Sequence, residues 1–176
     1  MIFVETKLKG AYIIELEKRE DHRGFFARSW DANIFEQHGL VGRVVQQNIG
    51  FSKIKGTIRG LHYQKAPHQE TKLVRCTRGA IFDVIVDLRP DSETFQQWLG
   101  VKLTMDDNRL LYVPKDFAQG FQSLEENSEI MYLVSEVYTP AAEAGIRYTD
   151  PAIGIQWPLP VSMITEKDAH LPDFSG

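Results

Sequence analysis

The chain has 176 residues, 43% hydrophobic and 25% charged, which is the composition of an ordinary globular protein with enough length to bury a core. Its net charge of −4 and pI near 5.7 argue against a nucleic-acid surface, which needs a basic face. A single cysteine, Cys76, excludes an internal disulfide framework and suits the reducing cytosol.

From the start of the chain, Met1-Ile2-Phe3-Val4 is interrupted by Glu5 and Lys7, so no signal-peptide apolar region is expected. No apolar run approaches a membrane span, and we expect a cytoplasmic protein with no membrane partner. Tyr12 to Leu16 reads as a strand. Asp21-His22-Arg23-Gly24-Phe25-Phe26 combines a turn with two aromatics, and its Arg could hold a phosphate while a ring stacks on a base. One early helix follows, capped by Asp31, with Ile34 and Phe35 on its apolar side and Gly39 at its end. Then come β-rich runs at Val44 to Phe51, Lys72 to Thr77, Trp98 to Thr104 and Leu110 to Val113, with a strand-like segment in Gly56 to Gln64. Phe82, Val84, Val86 and Leu88 alternate with Ile81, Asp83, Ile85 and Asp87, and Ile130, Tyr132 and Val134 alternate with Glu129, Met131 and Leu133. Turn signals such as Arg78-Gly79 and Asp106-Asp107-Asn108 separate these runs. From Thr139 onward Pro140, Pro151, Pro158, Pro160 and Pro172 predict an irregular wrap, with a short helix or turn around Glu166 to Ala169. Many short strands imply a sandwich or barrel. No repeat or linker divides the chain, so we expect one domain over residues 1–176.

Chemistry concentrates in Arg59-Gly-Leu-His62-Tyr-Gln64 and Lys72-Leu-Val-Arg75. A sheet core excludes such charged groups unless they are paired. His62 alone would be read as a core histidine bonded to a carbonyl. Three neighbours shift that reading. Arg59 lies on the opposite face of a regular strand, but a bulge at Gly60 would turn it. Lys72 shares the parity of Val74 and Cys76 and should point inward. Asp168 lies in a wrap that can fold back, and a His with a carboxylate partner is a tuned general base. Tyr132 shares the parity of Ile130 and Val134 and is equally a packed phenol or an acid facing a cavity; the same holds for Tyr138.

Metal chemistry is disfavoured. A barrel metal site needs His-x-His and a later His, yet Gln64 and Gln119 stand there, and amides are poor ligands for transition metals. There is no Gly-x-Ser-x-Gly elbow, no Gly-x-Gly-x-x-Gly and no P-loop. Cys76 reads as an inert buried thiol.

Taken together, Asp21-x-Arg-Gly-Phe-Phe26, Val45-Gln46-x-Asn48, Arg59-Gly-Leu-His-Tyr-Gln64, Lys72-Leu-Val-Arg75, Phe82-Asp-Val-x-Val-Asp87, Asp150-Pro-Ala-Ile-Gly-Ile-x-Trp-Pro158 and Glu166-Lys-Asp168 resemble the dTDP-4-dehydrorhamnose 3,5-epimerase family of cupin-like sugar-nucleotide epimerases. The resemblance runs nearly end to end. It implies a mainly β, jelly-roll (cupin-like) barrel, a homodimer, no cofactor and a nucleoside-diphosphate 4-keto-deoxy sugar as substrate. By resemblance His62 is the base paired with Asp168, Tyr132 the acid on the opposite face of the sugar, and Lys72 the cation at the C4 oxygen. Arg23 and Arg59 match the diphosphate contacts. Phe26, Gln46, Asn48, Tyr138 and Lys167 fall where the family lines its nucleotide and sugar pockets. Arg28 stands where the family commonly has Glu beside the base, and Gln119 where it commonly has His near the sugar-diphosphate. The leading expectation is epimerisation at C3 and C5 of dTDP-4-dehydro-6-deoxy-D-glucose. Alternatives are a mono-epimerase, an epimerase of a CDP-linked or dideoxy sugar, a non-catalytic sugar-nucleotide module and, weakest, a metal oxygenase.

Overall fold

The computed structural model describes residues 1–175. Two antiparallel sheets face each other. The first runs β1 (Ile2–Glu5), β2 (Tyr12–Glu15), and on to the later strands β10 (Arg109–Val113), β7 (Lys72–Arg78), β12 (Ser128–Val134) and β5 (Gln46–Ser52) in that spatial order. The second has β13 (Glu143–Gly145), β6 (Ile58–Gln64), β11 (Phe117–Ser123), β8 (Ala80–Asp87) and β9 (Trp98–Thr104). A separate hairpin of β3 (Arg19–Asp21) and β4 (Gly24–Phe26) pairs only with itself. The expected jelly roll is therefore present, as two facing sheets rather than a closed barrel, since no backbone ladder joins their edges among the described residues.

Period-two patterning explains which side of each strand is apolar. In β8, Ile81 and Ile85 point between the sheets and pack with Val74, Cys76, Val101, Leu103 and Leu111. The wholly apolar set Val84, Val86 and Leu88 points outward, and it is the C-terminal wrap that covers it, through Ile146, Ile153, Tyr148 and Trp157. So β8 is buried on both faces, and its inner face carries two carboxylates, Asp83 and Asp87, with no solvent exposure. Asp87 is satisfied there by Arg89, Ser92 and Thr94, which hold its carboxyl down at about 2 against the opposing pull of burial.

Helix α1 (Ala32–Gln37) begins where the sequence predicts, with Asp31 Oδ1 accepting from the amides of Asn33 and Ile34. It buries Phe35 against Ile14, Leu110 and Tyr112, sealing the outer face of the first sheet. Removing such a ring from water is worth about 2–3 kcal/mol. Helix α2 (Glu166–Ala169) closes the wrap and is capped by Thr165, whose hydroxyl accepts from the Asp168 amide.

One departure from regular alternation positions the site. In the β6–β11 ladder, His62 pairs with Gln119 but Arg59 pairs with Phe121, so three steps on β6 match two on β11. The extra residue is Gly60, at φ +99°, where a Cβ would lie 2.8 Å from the Gln119 carbonyl oxygen. Only glycine fits that approach. The bulge breaks the regular alternation of β6 and brings Arg59 to the same side as His62.

Candidate active site

Between the sheets, where the apolar filling stops, lies a two-lobed cavity with His62, Lys72 and Tyr132 lining both lobes. The larger lobe, about 380 Å³, is completed by Gln46, Asn48, Glu70, Tyr138 and Glu143. The smaller, about 250 Å³, extends to Arg59, Gln119 and Asp168. Each sheet contributes: Lys72 and Tyr132 come from β7 and β12, and Arg59, His62 and Gln119 from β6 and β11. Nine residues named from sequence thus line one space. A roomier cavity of about 770 Å³ lies by Lys9, Lys65, Arg89 and Phe174, but none of the named residues lines it. Size would favour that cavity; the convergence of a base, an acid and cations favours the two-lobed one.

His62 Nε2 is 2.7 Å from Asp168 Oδ1. The other oxygen, Oδ2, accepts from the Gly60 amide at 3.0 Å, so the bulge that turns Arg59 also anchors the carboxylate. Burial pushes the Asp168 carboxyl up, but the hydrogen bonds from His62 and Gly60 and the His62 and Lys167 charges outweigh it, leaving a net downward shift. An ionised carboxylate only accepts, so Nε2 carries a proton, and in the neutral form of the ring it is Nδ1 that keeps the lone pair. The Asp168 side chain is 6% exposed and that of His62 33%, an orienting group behind a reachable ring.

Lys72 is nearly closed off from solvent, with Nζ 3.3 Å from the His62 carbonyl oxygen and 3.5 Å from Glu70 Oε1. The Tyr132 phenol is pushed up, first by burial and then by the Glu70 charge, with Arg59 opposing, so it stays protonated at neutral pH. Arg59 donates to the Phe51 carbonyl at 2.7 Å and to Ser52 Oγ at 3.2 Å, which aims a fixed guanidinium at the smaller lobe. At the mouth of the larger lobe, Glu143 accepts from Lys167 Nζ at 2.6 Å and from the Tyr138 hydroxyl at 3.0 Å. Gln46 Oε1 accepts from the Tyr138 amide at 2.7 Å.

Of the other four named residues, Lys167 reaches only the mouth, through Glu143, and Arg23, Phe26 and Arg28 do not reach this cavity within one chain. Arg23 is exposed and paired with Asp21 in the β3–β4 hairpin. Phe26 and Arg28 line a different depression with Met1, Glu17 and Arg19. Arg28 Nη1 lies 3.0 Å from Asp31 Oδ2, so it braces the α1 cap. Sequence reasoning also passed over Glu70, Glu143 and Asp83. Glu70 shares strand parity with Lys72, which could have flagged it. Asp83 shares the face of Ile81 and Ile85, which the structure turns inward although the other face of the strand is the wholly apolar one.

With this geometry in place, the comparisons with known proteins are decisive. Residues 5–176 match the family model described as dTDP-4-dehydrorhamnose 3,5-epimerase. The chain belongs to that family. A relative of that name from Methanothermobacter thermautotrophicus is 44% identical over 96% of this chain and 91% of its own length. The crystal structure of the Elizabethkingia anophelis epimerase superposes with a TM-score of 0.96 at 40% identity, covering 99% of this chain and 96% of that one. A Legionella pneumophila epimerase in complex with dTDP-4-keto-L-rhamnose gives 0.91 at 39% identity, covering 98% and 92%. The epimerase family is one of isomerases with the same two facing sheets. Among the described residues, no helix is long and apolar enough to cross a membrane.

Proposed function

We propose that this chain, as one domain over residues 1–176, inverts C3 and C5 of dTDP-4-dehydro-6-deoxy-D-glucose to give dTDP-4-dehydro-L-rhamnose. The observation that carries the reading is the His62–Asp168 pair opening onto a cavity shared with Tyr132 and Lys72. A C4 ketone acidifies the hydrogens on C3 and C5, because the electron pair left behind delocalises onto the carbonyl oxygen. His62 Nδ1 takes the proton, and the imidazolium formed is stabilised by Asp168. Lys72 supplies positive charge for the enolate oxygen, in a nearly dry setting where that charge counts for more than in water. Tyr132 returns a proton from the other face, and the tyrosinate and imidazolium re-equilibrate with solvent before the second carbon reacts. No electron leaves the substrate, so the chemistry calls for no redox cofactor, and Lys72 fills the place a Lewis acid would take at the enolate oxygen. Arg59 is the diphosphate contact, and Gln46, Asn48, Tyr138 and Lys167 receive the rest of the substrate.

The same reading makes the protein a cytoplasmic homodimer in which the β3–β4 hairpin serves the partner's cavity. Its support is that Phe26 is 63% exposed and Arg23 bare, while neither lines its own chain's cavity. Mixing His62→Ala with a Phe26→Ala/Arg23→Ala variant should then restore activity that neither has alone, up to about a quarter of wild type when subunits exchange freely. No recovery would refute the exchange of hairpins.

Incubation with the dTDP 4-keto sugar in heavy water, read by NMR, tests the activity. Deuterium at both C3 and C5 is the expected result. Deuterium at one carbon would make the protein a mono-epimerase, and none would refute the enzymatic reading.

A further inference from the structure

Gln119 is the residue whose side chain faces the cavity with its polarity already decided. It lies opposite His62 in the ladder, on the floor of the smaller lobe. Its Nε2 is 2.6 Å from Asp83 Oδ1. Asp83 is wholly buried, and its Oδ2 has no hydrogen-bond partner among the described residues. When ionised, the Asp83 carboxylate can only accept, so it takes the donor end of the amide. The amide is planar, so its Oε1 is turned away from Asp83. That oxygen has no donor among the described residues and is not a closed-off orphan.

We propose that Asp83 is a positioning residue that holds the Gln119 amide with its carbonyl oxygen toward the cavity, and that this oxygen selects a sugar bearing a ring hydroxyl at C2 or C3. The inference rests on the sugar-nucleotide reading above and goes beyond it by naming what the smaller lobe asks of the sugar. The alternatives on the substrate are oxygens that only accept: the ketone, the enolate and the diphosphate. A carbonyl oxygen would repel each of these, and Arg59 and Lys72 already serve them from the same cavity. A hydroxyl is the donor a 4-keto-6-deoxyhexose offers beside the reacting carbons. A site built to pair a hydroxyl rejects an analogue lacking it more strongly than an apolar wall could, because its own polar group is left unpaired.

The test compares the natural substrate with its 2-deoxy and 3-deoxy analogues, following deuterium entry at C5, a carbon all three share. It is run at pH 8, where the Asp83 carboxyl, pushed up to about 7 by burial, is ionised. Wild type should discriminate against one analogue by roughly 10- to 100-fold in kcat/KM. Gln119→Met, similar in length and unable to hydrogen-bond through an amide, should reduce that ratio to near one. Asp83→Leu should do the same, and Asp83→Asn, which keeps an acceptor for Nε2, should retain most of it. Equal handling of all three sugars by wild type overturns the proposal, as does discrimination that survives in Gln119→Met. The wild-type comparison holds whether or not a variant folds. Failure of the parent reading would look different: no exchange at C3 or C5 with the natural substrate.

Discussion

Asp168 and Asp83 are two carboxylates in the same small cavity region, 4% and 0% exposed, yet their protonation shifts in opposite directions. Asp168 accepts from an imidazole and a backbone amide, one on each oxygen, and its carboxyl is lowered. Asp83 has one neutral amide side chain on one oxygen and no side-chain partner on the other, with only the Lys72 charge and the Val84 backbone amide helping. Burial wins there and pushes the carboxyl up to about 7. Depth does not distinguish these groups; the number and charge of their donors does. In the proposed mechanism the first pair stabilises a charge formed during the reaction, and the second holds a neutral amide still.

The largest effect should come from breaking the first pair. His62→Ala removes the base and should lower deuterium exchange by about 10²- to 10⁴-fold, the usual contribution of a positioned general base. Asp168→Asn should fall in the same range, since an amide neither fixes the Nε2–H tautomer nor stabilises the imidazolium. Exchange within threefold of wild type in either variant would remove the pair from the mechanism. Steady-state NMR in heavy water is the measurement, with circular dichroism to confirm folding.

A smaller effect should come from Asp83→Asn, read as stability against pH. A carboxyl whose folded value, about 7, lies above its ordinary value of 3.8 contributes stability that is complete below 3.8 and is lost as pH rises through 7. Asparagine cannot titrate, so the variant should gain on wild type between pH 5 and pH 8, by at most about 3 kcal/mol. Asp168 does not obscure this. Its lowered carboxyl contributes stability above 3.8 that disappears only as pH falls through the folded value, outside this window. Urea titrations at the two pH values give the difference. A gap that does not change with pH would mean that Asp83 is as well served by donors as Asp168.

Much of this arrangement was readable in the residues because period two is simple. Lys72 and Tyr132 were placed inward from the parity of Val74, Cys76, Ile130 and Val134, and the α1 cap from Asp31 alone. Less legible was anything depending on a break in that period. The Gly60 bulge was an option in sequence, but its effect, joining Arg59 to His62 while anchoring Asp168, depends on pairing with β11 and on contact with a helix 108 residues away. The short strands β1, β3, β4 and β13 gave no pattern because three or four residues carry too little periodicity. Asp83 was overlooked for a related reason: the apolar residues beside it announce a core strand, and only the facing Gln119 reveals why a carboxylate is kept there.

Cys76 offers the smallest and most stringent check on that contrast. It is a third buried titratable group, on the same inner face as Lys72, and the one cation acting on it, Arg75, has the smallest influence of those on the thiol, unlike His62 at Asp168. Its Sγ donates to the carbonyls of Arg78 and Gly79, at 3.2 and 3.3 Å, which serve the neutral thiol and not a thiolate. Burial is the leading cause that pushes it up to about 11, so at neutral pH almost none is ionised. Cys76→Ser keeps a donor for both carbonyls and should leave exchange within twofold of wild type, with stability lowered by no more than about 1 kcal/mol. Alkylation by iodoacetamide should be slow until the protein unfolds. Rapid alkylation of the folded protein with loss of exchange would mean that a buried group here can be charged without matching donors, and the rule drawn from Asp168 and Asp83 would fail at the third site it meets.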